Sequence, residues 1–265
     1  MTTETIHYEA LKRPLAGTDL FLLKGGDGHP VLVLHGIEGN EGWLPFHDAL
    51  ARQSTVYAPA HPGFAQTPRP AWLESIQHQA IFYHWFIQQE QLAFVDLVGV
   101  GIGGWIAAEM AVMCPQPLRN LVLIDAAGVR PQHSEIRDIF IMPWKEVIDH
   151  SFYDPDNCSE YQRLYGGEFQ EFGGDREAGR TMSIRMCYRP FMYDPAFPAL
   201  LNKINTRSLI VWGTEDQIFP LECAQLYQQS IPGAALQTID KAGHWPHYER
   251  PSTLADTVSE FLTKR

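Results

Sequence analysis

The chain has 265 residues, of which 45% are hydrophobic and 19% charged, so it is long enough for one large domain with a full core. A formal net charge of -11 argues against nucleic acid and anionic membrane surfaces as partners, and no apolar run approaches the roughly 18 residues needed to cross a bilayer. The first residues lack the pattern of a secretory signal and the four cysteines lack C-x-x-C spacing, so we expect a reduced, cytoplasmic protein.

Seven short apolar segments predict β-strands, and several are apolar throughout, as expected of strands buried on both faces of a parallel sheet. In chain order they are GTDLFLLKGG (17–26), HPVLVLHG (29–36), STVYAPA (54–60), FVDLVGV (94–100), NLVLIDAAG (120–128), RSLIVWGTED (207–216) and AALQTID (234–240). The helices predicted among and after them cover 72–90, 103–113, 220–230 and 252–263. This alternation predicts an α/β fold with a doubly wound, mostly parallel sheet.

Residues 131–200 interrupt the alternation, because this stretch contains no convincing strand but is dense in aromatic residues and prolines. Such an aromatic composition argues against a disordered loop. We therefore predict that 1–130 and 201–265 form the core, and that 131–200 is a helical cap inserted over the carboxyl-terminal edge of the sheet.

The stretch DLVGVGIGGWIAAEMA, residues 96–111, admits two interpretations. Gly99, Gly101 and Gly104 satisfy G-x-G-x-x-G, the dinucleotide-binding fingerprint, and the next strand ends at Asp125, where an acidic ribose ligand would be expected. That fingerprint normally lies in the first βαβ unit, however, whereas three predicted strands precede it here. The same residues also match G-x-S-x-G-G, a sharp strand-to-helix turn that presents a nucleophile, with Gly101 in place of the serine.

Three segments outside the glycine run favour the second interpretation. They are His-Gly in VLVLHGIEGN (31–40), Gly-x-x-Asp followed by proline in LIVWGTEDQIFP (209–220), and G-H-x-x-x-x-E-x-P in KAGHWPHYERP (241–251). With the glycine run they cover residues 31–251 in one order. In this order and spacing the chain resembles the α/β-hydrolase superfamily, with a helical cap.

The resemblance implies a role for each matched position. His244 is the base, Asp216 orients it, and the backbone N–H groups of Ile37 and Ile102 form the oxyanion hole. Gly101 stands at the nucleophile position without a side chain, so the acyl-enzyme route is closed. A glycine nevertheless preserves the turn, because this position needs φ > 0 and glycine avoids the strain of roughly 1–3 kcal/mol that other residues carry there.

Three explanations of Gly101 stay open: a serine esterase or C–C hydrolase whose nucleophile has been removed, a ligand-binding or interaction protein with a vestigial site, and an enzyme that works without serine. We favour the third, because drift would be expected to spoil the His–Asp pair and the oxyanion loop. His244 would act as a base on water or on an acidic substrate proton, and the oxyanion hole would stabilise a developing enolate or alkoxide.

Four residues are candidates for the substrate pocket. Trp245 follows the histidine as in hydrolases that cleave C–C bonds of meta-cleavage products, although their Gly-Pro-Gly loop is replaced here by GIEGN. Glu38 is expected in solvent, with the pocket as the alternative. Asp125 is expected in helix capping or in the hinge of the cap, with a role as substitute acid as the alternative. Trp144 belongs to the aromatic residues of the cap, which indicate an apolar substrate.

Two further histidines receive structural roles: His35 is expected to support the oxyanion loop, and His61 to make a surface hydrogen bond. No cluster has metal-ligand spacing, and no cofactor is indicated. The sequence therefore predicts a cofactor-independent enzyme of the hydrolase family, with a small apolar ester or diketone-type carbonyl compound as its substrate. The alternative from another class is a non-catalytic ligand-binding protein.

Overall fold

The computed structural model describes residues 6–166 and 174–264, without the side chains of 174–176. An eight-stranded sheet lies at its centre, in the order β1-β2-β4-β3-β5-β6-β7-β8. The strands are β1 (Tyr8–Leu15), β2 (Thr18–Gly25), β3 (His29–Leu34), β4 (Ser54–Pro59), β5 (Val95–Val100), β6 (Leu118–Ile124), β7 (Arg207–Gly213) and β8 (Ala235–Ile239). Strands β3 to β8 pair in parallel, whereas β2 pairs antiparallel with both of its neighbours, β1 and β4. This arrangement confirms the predicted mostly parallel sheet.

The sequence analysis missed β1, the outermost strand. This strand pairs with β2 along its whole length, and its side chains are exposed or half-buried. Charged residues and Pro14 therefore occupy positions that are apolar in the central strands, as is common at a sheet edge. The apolar run that identified the other strands is absent here for that reason.

Ten α-helices lie in the described ranges. They are α1 (Pro45–Ala51), α2 (Ile76–Gln89), α3 (Ile102–Met113), α4 (Trp144–Ser151), α5 (Ser159–Tyr165), α6 (Gly174–Cys187), α7 (Phe197–Leu201), α8 (Leu221–Ser230), α9 (Pro246–Glu249) and α10 (Pro251–Thr263), with a short 3-10 helix at Pro155–Asn157. The four helices predicted from sequence correspond to α2, α3, α8 and α10, whereas α1 and α9 were not predicted. None of the helices described is long and apolar enough to cross a membrane.

Two apolar layers cover the faces of the sheet, because side chains alternate between faces along each strand. Leu97 of β5 joins the larger layer, which includes α2 and α3. Val98 of the same strand joins the smaller layer, which includes Phe46 of α1 and Val258 of α10. The central strands are thus buried on both sides, as their continuous apolar runs predict.

The chain between β6 and β7 forms α4 to α7, and α6 lies over the loops that follow β3 and β4. A Cβ atom on Gly179 of α6 would lie 2.9 Å from the ring of Phe64 and 3.3 Å from the carbonyl oxygen of Ile37. The guanidinium of Arg180 ties α6 to the preceding segment by donating to the carbonyl oxygens of residues 140 and 142, each at 2.8 Å. Helix α7 instead packs against α3 and α8.

Two glutamates attach this helical segment to the rest of the molecule. Glu222 of α8 accepts hydrogen bonds from the backbone N–H groups of 132–134. Glu249 of α9 accepts from the N–H groups of 153–154 at 2.8 and 3.0 Å and from that of Gly243 at 2.6 Å. Each carboxylate therefore satisfies several loop donors at once, and Glu249 joins the helical segment to the loop before α9.

Gly103 marks the closest approach of α3 to β3. A Cβ atom there would lie 2.3 Å from the carbonyl oxygen of Leu34 and 2.4 Å from that of His35. Because both obstacles are backbone atoms, we expect Gly103→Ala to lower the free energy of unfolding by about 3 kcal/mol. Urea denaturation monitored by tryptophan fluorescence measures this loss.

Gly233→Ala is the control for that experiment. Gly233, unlike Gly103, has a positive φ, +72°, and a Cβ atom there meets nothing within 4 Å. The control therefore carries only the backbone strain, roughly 1 kcal/mol. Equal losses in the two variants would contradict a steric role for Gly103.

Candidate active site

Gly101 alone forms the turn between β5 and α3. Its φ of +53° and ψ of -118° lie in a region that residues with side chains rarely adopt. Its N–H donates to the carbonyl oxygen of Ile124 at 2.9 Å, and its own carbonyl oxygen accepts from Gly104 at 3.1 Å and Ala127 at 3.0 Å. The turn is thus fixed by β6 on one side and by α3 on the other.

The glycines around Gly101 allow backbone to approach backbone, whereas Gly101 itself has room. A Cβ atom on Gly99 would lie 2.3 Å from the carbonyl oxygen of Gly103. A Cβ atom on Gly101 would lie 3.5 Å from Nε2 of His244 and 3.6 Å from Cα of Gly36, with nothing nearer. A side chain at position 101 would therefore fit, and it would contact His244.

His244 and Asp216 form a hydrogen-bonded pair, with 2.9 Å between Nδ1 of the imidazole and Oδ2 of the carboxylate. The other carboxylate oxygen accepts the backbone N–H groups of Ile218 and Phe219, at 2.7 and 2.9 Å. The Asp216 loop after β7 therefore fixes the carboxylate, and the carboxylate fixes the ring. With its proton on Nδ1, the imidazole presents Nε2 to Gly101 as an acceptor.

Ile37 and Ile102 follow Gly36 and Gly101, which lie next to each other in the structure. Both residues are buried, and neither N–H donates to another residue in the described part of the chain. Ile102 is the first residue of α3, whose N–H has no partner within the helix. Buried N–H groups are almost always paired, so these two amides are exceptions; their role as an oxyanion hole stays a prediction.

Asp125 lies beside the His244–Asp216 pair. The expectation that it caps a helix is wrong, because none of the helices described begins there. The residue follows β6 with φ at +44° and is fully buried. Its Oδ1 accepts the N–H of Gly213 at 2.9 Å, while Oδ2 is buried without a partner. Burial, and then the charge of Asp216, raise the pKa of the Asp125 carboxyl well above its usual range.

One oxygen or nitrogen atom from each of Asp125, Asp216 and His244 lies within 4.8 Å of the other two. The spacing of these residues along the chain gave no sign of such a cluster. The three groups face one another, and Asp216 bonds the imidazole directly. Two carboxyl groups and an imidazole at these distances can share and exchange protons.

The expectation that Glu38 lies in solvent is wrong. Its side chain is only 1% exposed, and Oε1 accepts the N–H of Gly36 at 2.8 Å. The same oxygen lies 3.5 Å from Nε2 of His247 on α9. Burial tends to raise the pKa of Glu38, but the hydrogen bond and charge of His247, with the charge of His35, lower it overall.

Beside Glu38 lies an internal cavity of about 20 Å³, which has room for roughly one water molecule. His35, His47 and His247 also line it. Glu38 therefore belongs to a polar cluster behind the Gly36–Ile37 loop, and it joins that loop to α9. A carboxylate so close to a loop glycine gave no sequence signal, because Glu-Gly-Asn is equally typical of an exposed turn.

His35 supports the loop, as expected, whereas the expectation for His61 is wrong. Nδ1 of His35 lies 2.7 Å from the carbonyl oxygen of Gly36, and Nε2 accepts the N–H of His61 at 2.9 Å. Burial lowers the pKa of His35 to about 4, so its ring is neutral at physiological pH. His61 is fully buried, and its ring contacts the hydroxyl of Tyr83 and the carbonyl oxygen of His35.

Trp245 is fully buried among aromatic rings that join the loop of His244 to α4 and α5. Its ring centroid lies 5.5 Å from that of Phe152, 6.2 Å from that of Tyr165 and 5.8 Å from that of Tyr248. Trp144 begins α4 and belongs to the larger apolar layer. The roles of both tryptophans in a substrate pocket stay predictions.

Known proteins resemble this chain over nearly all of its length. The 2-hydroxy-6-oxo-2,4-heptadienoate hydrolase of Pseudomonas putida F1 is 26% identical, with 89% of this chain and 90% of that protein covered. The 2-hydroxymuconate semialdehyde hydrolase of Pseudomonas sp. CF600 is 27% identical, with 94% and 92% covered.

Two solved structures show the same fold. The 2-hydroxy-6-oxo-6-phenylhexa-2,4-dienoate hydrolase of Rhodococcus sp. RHA1 superimposes with a TM-score of 0.81 at 21% identity, covering 98% of this chain and all of that one. A membrane phospholipase A described as a bacterial virulence factor gives 0.82 at 22% identity, with 96% and 86% covered. The family model described as "Alpha/beta hydrolase family" matches residues 31–257. The chain belongs to the alpha/beta hydrolase family.

Proposed function

We propose that this protein is an enzyme that acts on a small apolar ester or diketone-type carbonyl compound without a serine nucleophile and without a cofactor. The observation that carries the proposal is the position of His244. Its Nε2 lies 3.5 Å from where a side chain on Gly101 would begin, while Asp216 holds Nδ1 at 2.9 Å. The base thus faces a space that a water molecule or a substrate atom can occupy.

Hydrolysis at this site needs one proton acceptor and one oxyanion site. His244 takes a proton from water as the water oxygen attacks the carbonyl carbon, and the negative charge develops on the carbonyl oxygen. The N–H groups of Ile37 and Ile102 donate to that oxygen. The tetrahedral adduct then expels an alkoxide or carbanion, which takes the proton from His244.

The surroundings of His244 favour an apolar substrate. The ring of Phe219 lies 5.2 Å from the imidazole, and Ile37, Ile102 and Phe64 are buried nearby. The two relatives named above as hydrolases of a hydroxy-oxo-heptadienoate and of a semialdehyde act on carbonyl compounds, which agrees with this class. We also propose that the helical segment 131–200 is the lid of the site, since α6 packs on Phe64 and Ile37.

One observation favours a second candidate, a serine hydrolase from which the nucleophile has been lost. A Cβ atom on Gly101 meets nothing nearer than 3.5 Å, and the atom at that distance is Nε2 of His244. A serine in this position would therefore be received without a clash, and its hydroxyl would be within reach of the base.

The decisive comparison is turnover by the unmodified protein and by His244→Ala on a panel of aryl esters and β-diketones. We expect the unmodified protein to turn over at least one compound, and His244→Ala to lose 10²-fold or more, roughly the contribution of a positioned general base. Initial rates measured by absorbance decide the outcome.

His84→Ala is the matched control, since His84 is a partly buried histidine on α2 whose ring bonds the carbonyl oxygen of Met110. Its rate should equal that of the unmodified protein. If the unmodified protein binds compounds from the panel but transforms none of them, the catalytic proposal fails and a binding role replaces it.

Gly101→Ser tests the second candidate directly. If serine chemistry belongs to this site, the variant should gain ester hydrolysis by several orders of magnitude, since a lost serine nucleophile costs up to about 10⁶ in turnover. The control is Gly101→Ala, which adds the same Cβ atom at the same positive φ but no hydroxyl. Activity in Gly101→Ser alone, with an inactive unmodified protein, would replace our proposal by the second candidate.

A further inference from the structure

Two carboxyl groups lie together behind His244, and the structure distributes hydrogen-bond donors between them unequally. Asp216 accepts two backbone N–H groups on Oδ1 and the imidazole on Oδ2. Asp125 accepts a single N–H, from Gly213, and its Oδ2 is buried with no partner. Asp216 thus accepts from three donors, whereas Oδ2 of Asp125 has no hydrogen-bond donor.

Two ionised carboxylates in this arrangement would be strongly unfavourable. An atom of each lies within 4.8 Å of the other, and both side chains are buried. Three other titratable groups face the pair: His244 after β8, Glu249 on α9 and Cys223 on α8. Glu249 adds further negative potential to Asp125, whereas burial raises the pKa of the Cys223 thiol, so that the thiol stays neutral and adds no negative charge. The usual resolution of two close carboxyls is that they share one proton.

We propose that Asp125 is a positioning residue: it carries a proton on Oδ2 at neutral pH and donates it in a hydrogen bond to Asp216. The proton belongs on Asp125 because Asp216 already receives three donors that stabilise its ionised form. The bond supplies the missing partner of Oδ2 and a fourth donor to Asp216. Asp125 also stays attached to β7 through the N–H of Gly213, so this bond fixes Asp216 to the sheet.

The proton on Asp125 determines how much negative charge His244 faces. With Asp125 neutral, one carboxylate lies beside the imidazole; with Asp125 ionised, there would be two, and they would favour the protonated ring. A protonated ring cannot accept a proton from water or substrate. The catalytic consequence rests on the function proposed above, whereas the protonation state of Asp125 does not.

The test is an NMR titration of the His244 ring protons, assigned by their loss in His244→Gln, in the unmodified protein, Asp125→Asn and Asp125→Ala. Asparagine is neutral and keeps a donor toward Asp216, so we expect Asp125→Asn to titrate at the same pH as the unmodified protein. Alanine removes the donor and leaves the negative charge of Asp216 less compensated, so we expect His244 in this variant to titrate at a higher pH. Neither result requires turnover, so the test is independent of whether the protein is an enzyme.

Two outcomes would overturn the proposal. If Asp125 is ionised in the native protein, Asp125→Asn removes a negative charge, and His244 should titrate about 1 unit or more lower. If Asp125→Asn and Asp125→Ala both titrate like the unmodified protein, Asp125 is not coupled to the pair.

A second measurement does not need the alanine variant to fold. The infrared difference spectrum of the unmodified protein minus Asp125→Asn should contain the carbonyl band of a protonated carboxylic acid at neutral pH. A carboxylate band in its place would contradict the proposal.

The same proton should be visible in the pH dependence of stability. A pKa that is higher in the folded than in the unfolded chain gives stability that is present below the unfolded value, about 3.9, and is lost as the pH rises through the folded value. The urea midpoint of Asp125→Asn should therefore rise relative to that of the unmodified protein between pH 4 and pH 8. A constant difference would contradict a proton held by Asp125.

Discussion

Helix α3 can follow β5 within one residue only because glycines allow backbone atoms to touch at the turn. Gly103 meets the carbonyl oxygens that end β3, and Gly99 meets Gly103 itself. This contact places Gly101 beside Gly36, such that a Cβ atom at position 101 would lie 3.6 Å from Cα of Gly36. Since the contacts are between backbone atoms, they do not depend on the side chain at position 101. The backbone geometry of this turn therefore does not require a side chain at position 101.

Around this turn the molecule buries polar groups in two separate clusters. In the first, Asp216 bonds His244, and Asp125, which accepts the N–H of Gly213, has an atom within 4.8 Å of both. Behind the loop, Glu38 is placed between the N–H of Gly36 and the ring of His247. Buried charges require such partners, because an unpaired one costs several kcal/mol. The Gly36–Ile37 loop lies between the two clusters, and Glu38 accepts the N–H of Gly36.

The sequence predicted those parts of the fold that depend on patterns among neighbouring residues. Apolar runs identified the buried strands, and the glycine spacing identified the turn at Gly101. Strand β1 escaped because an edge strand needs no apolar run, and α1 because its seven residues carry no long periodic pattern. His244 and Asp216 were predicted to pair because their segments resemble those of the α/β-hydrolase superfamily, and the structure joins them by a hydrogen bond.

The environments of Asp125 and Glu38 could not be predicted in the same way. Asp125 acquires its role only when β6 lies next to β7, so that Gly213 and Asp216 reach it. Glu38 is followed by residues typical of an exposed turn, and only the packing of α9 encloses it. In both cases the decisive neighbours are distant in the chain, and no residue near the carboxylate indicates them.

The position of Glu249 has a consequence for how such a site admits a molecule. One carboxylate holds the backbone of 153–154 in the helical segment and the N–H of Gly243, the residue before His244. Lifting the segment would remove two donors from that carboxylate, and its remaining bond to Gly243 would have to readjust. If 131–200 is the lid proposed above, its opening and the alignment of the imidazole are thermodynamically linked, and by reciprocity a molecule that orders the imidazole also favours closure. Access to the site and alignment of the imidazole would then change in opposite directions, through the carboxylate of Glu249.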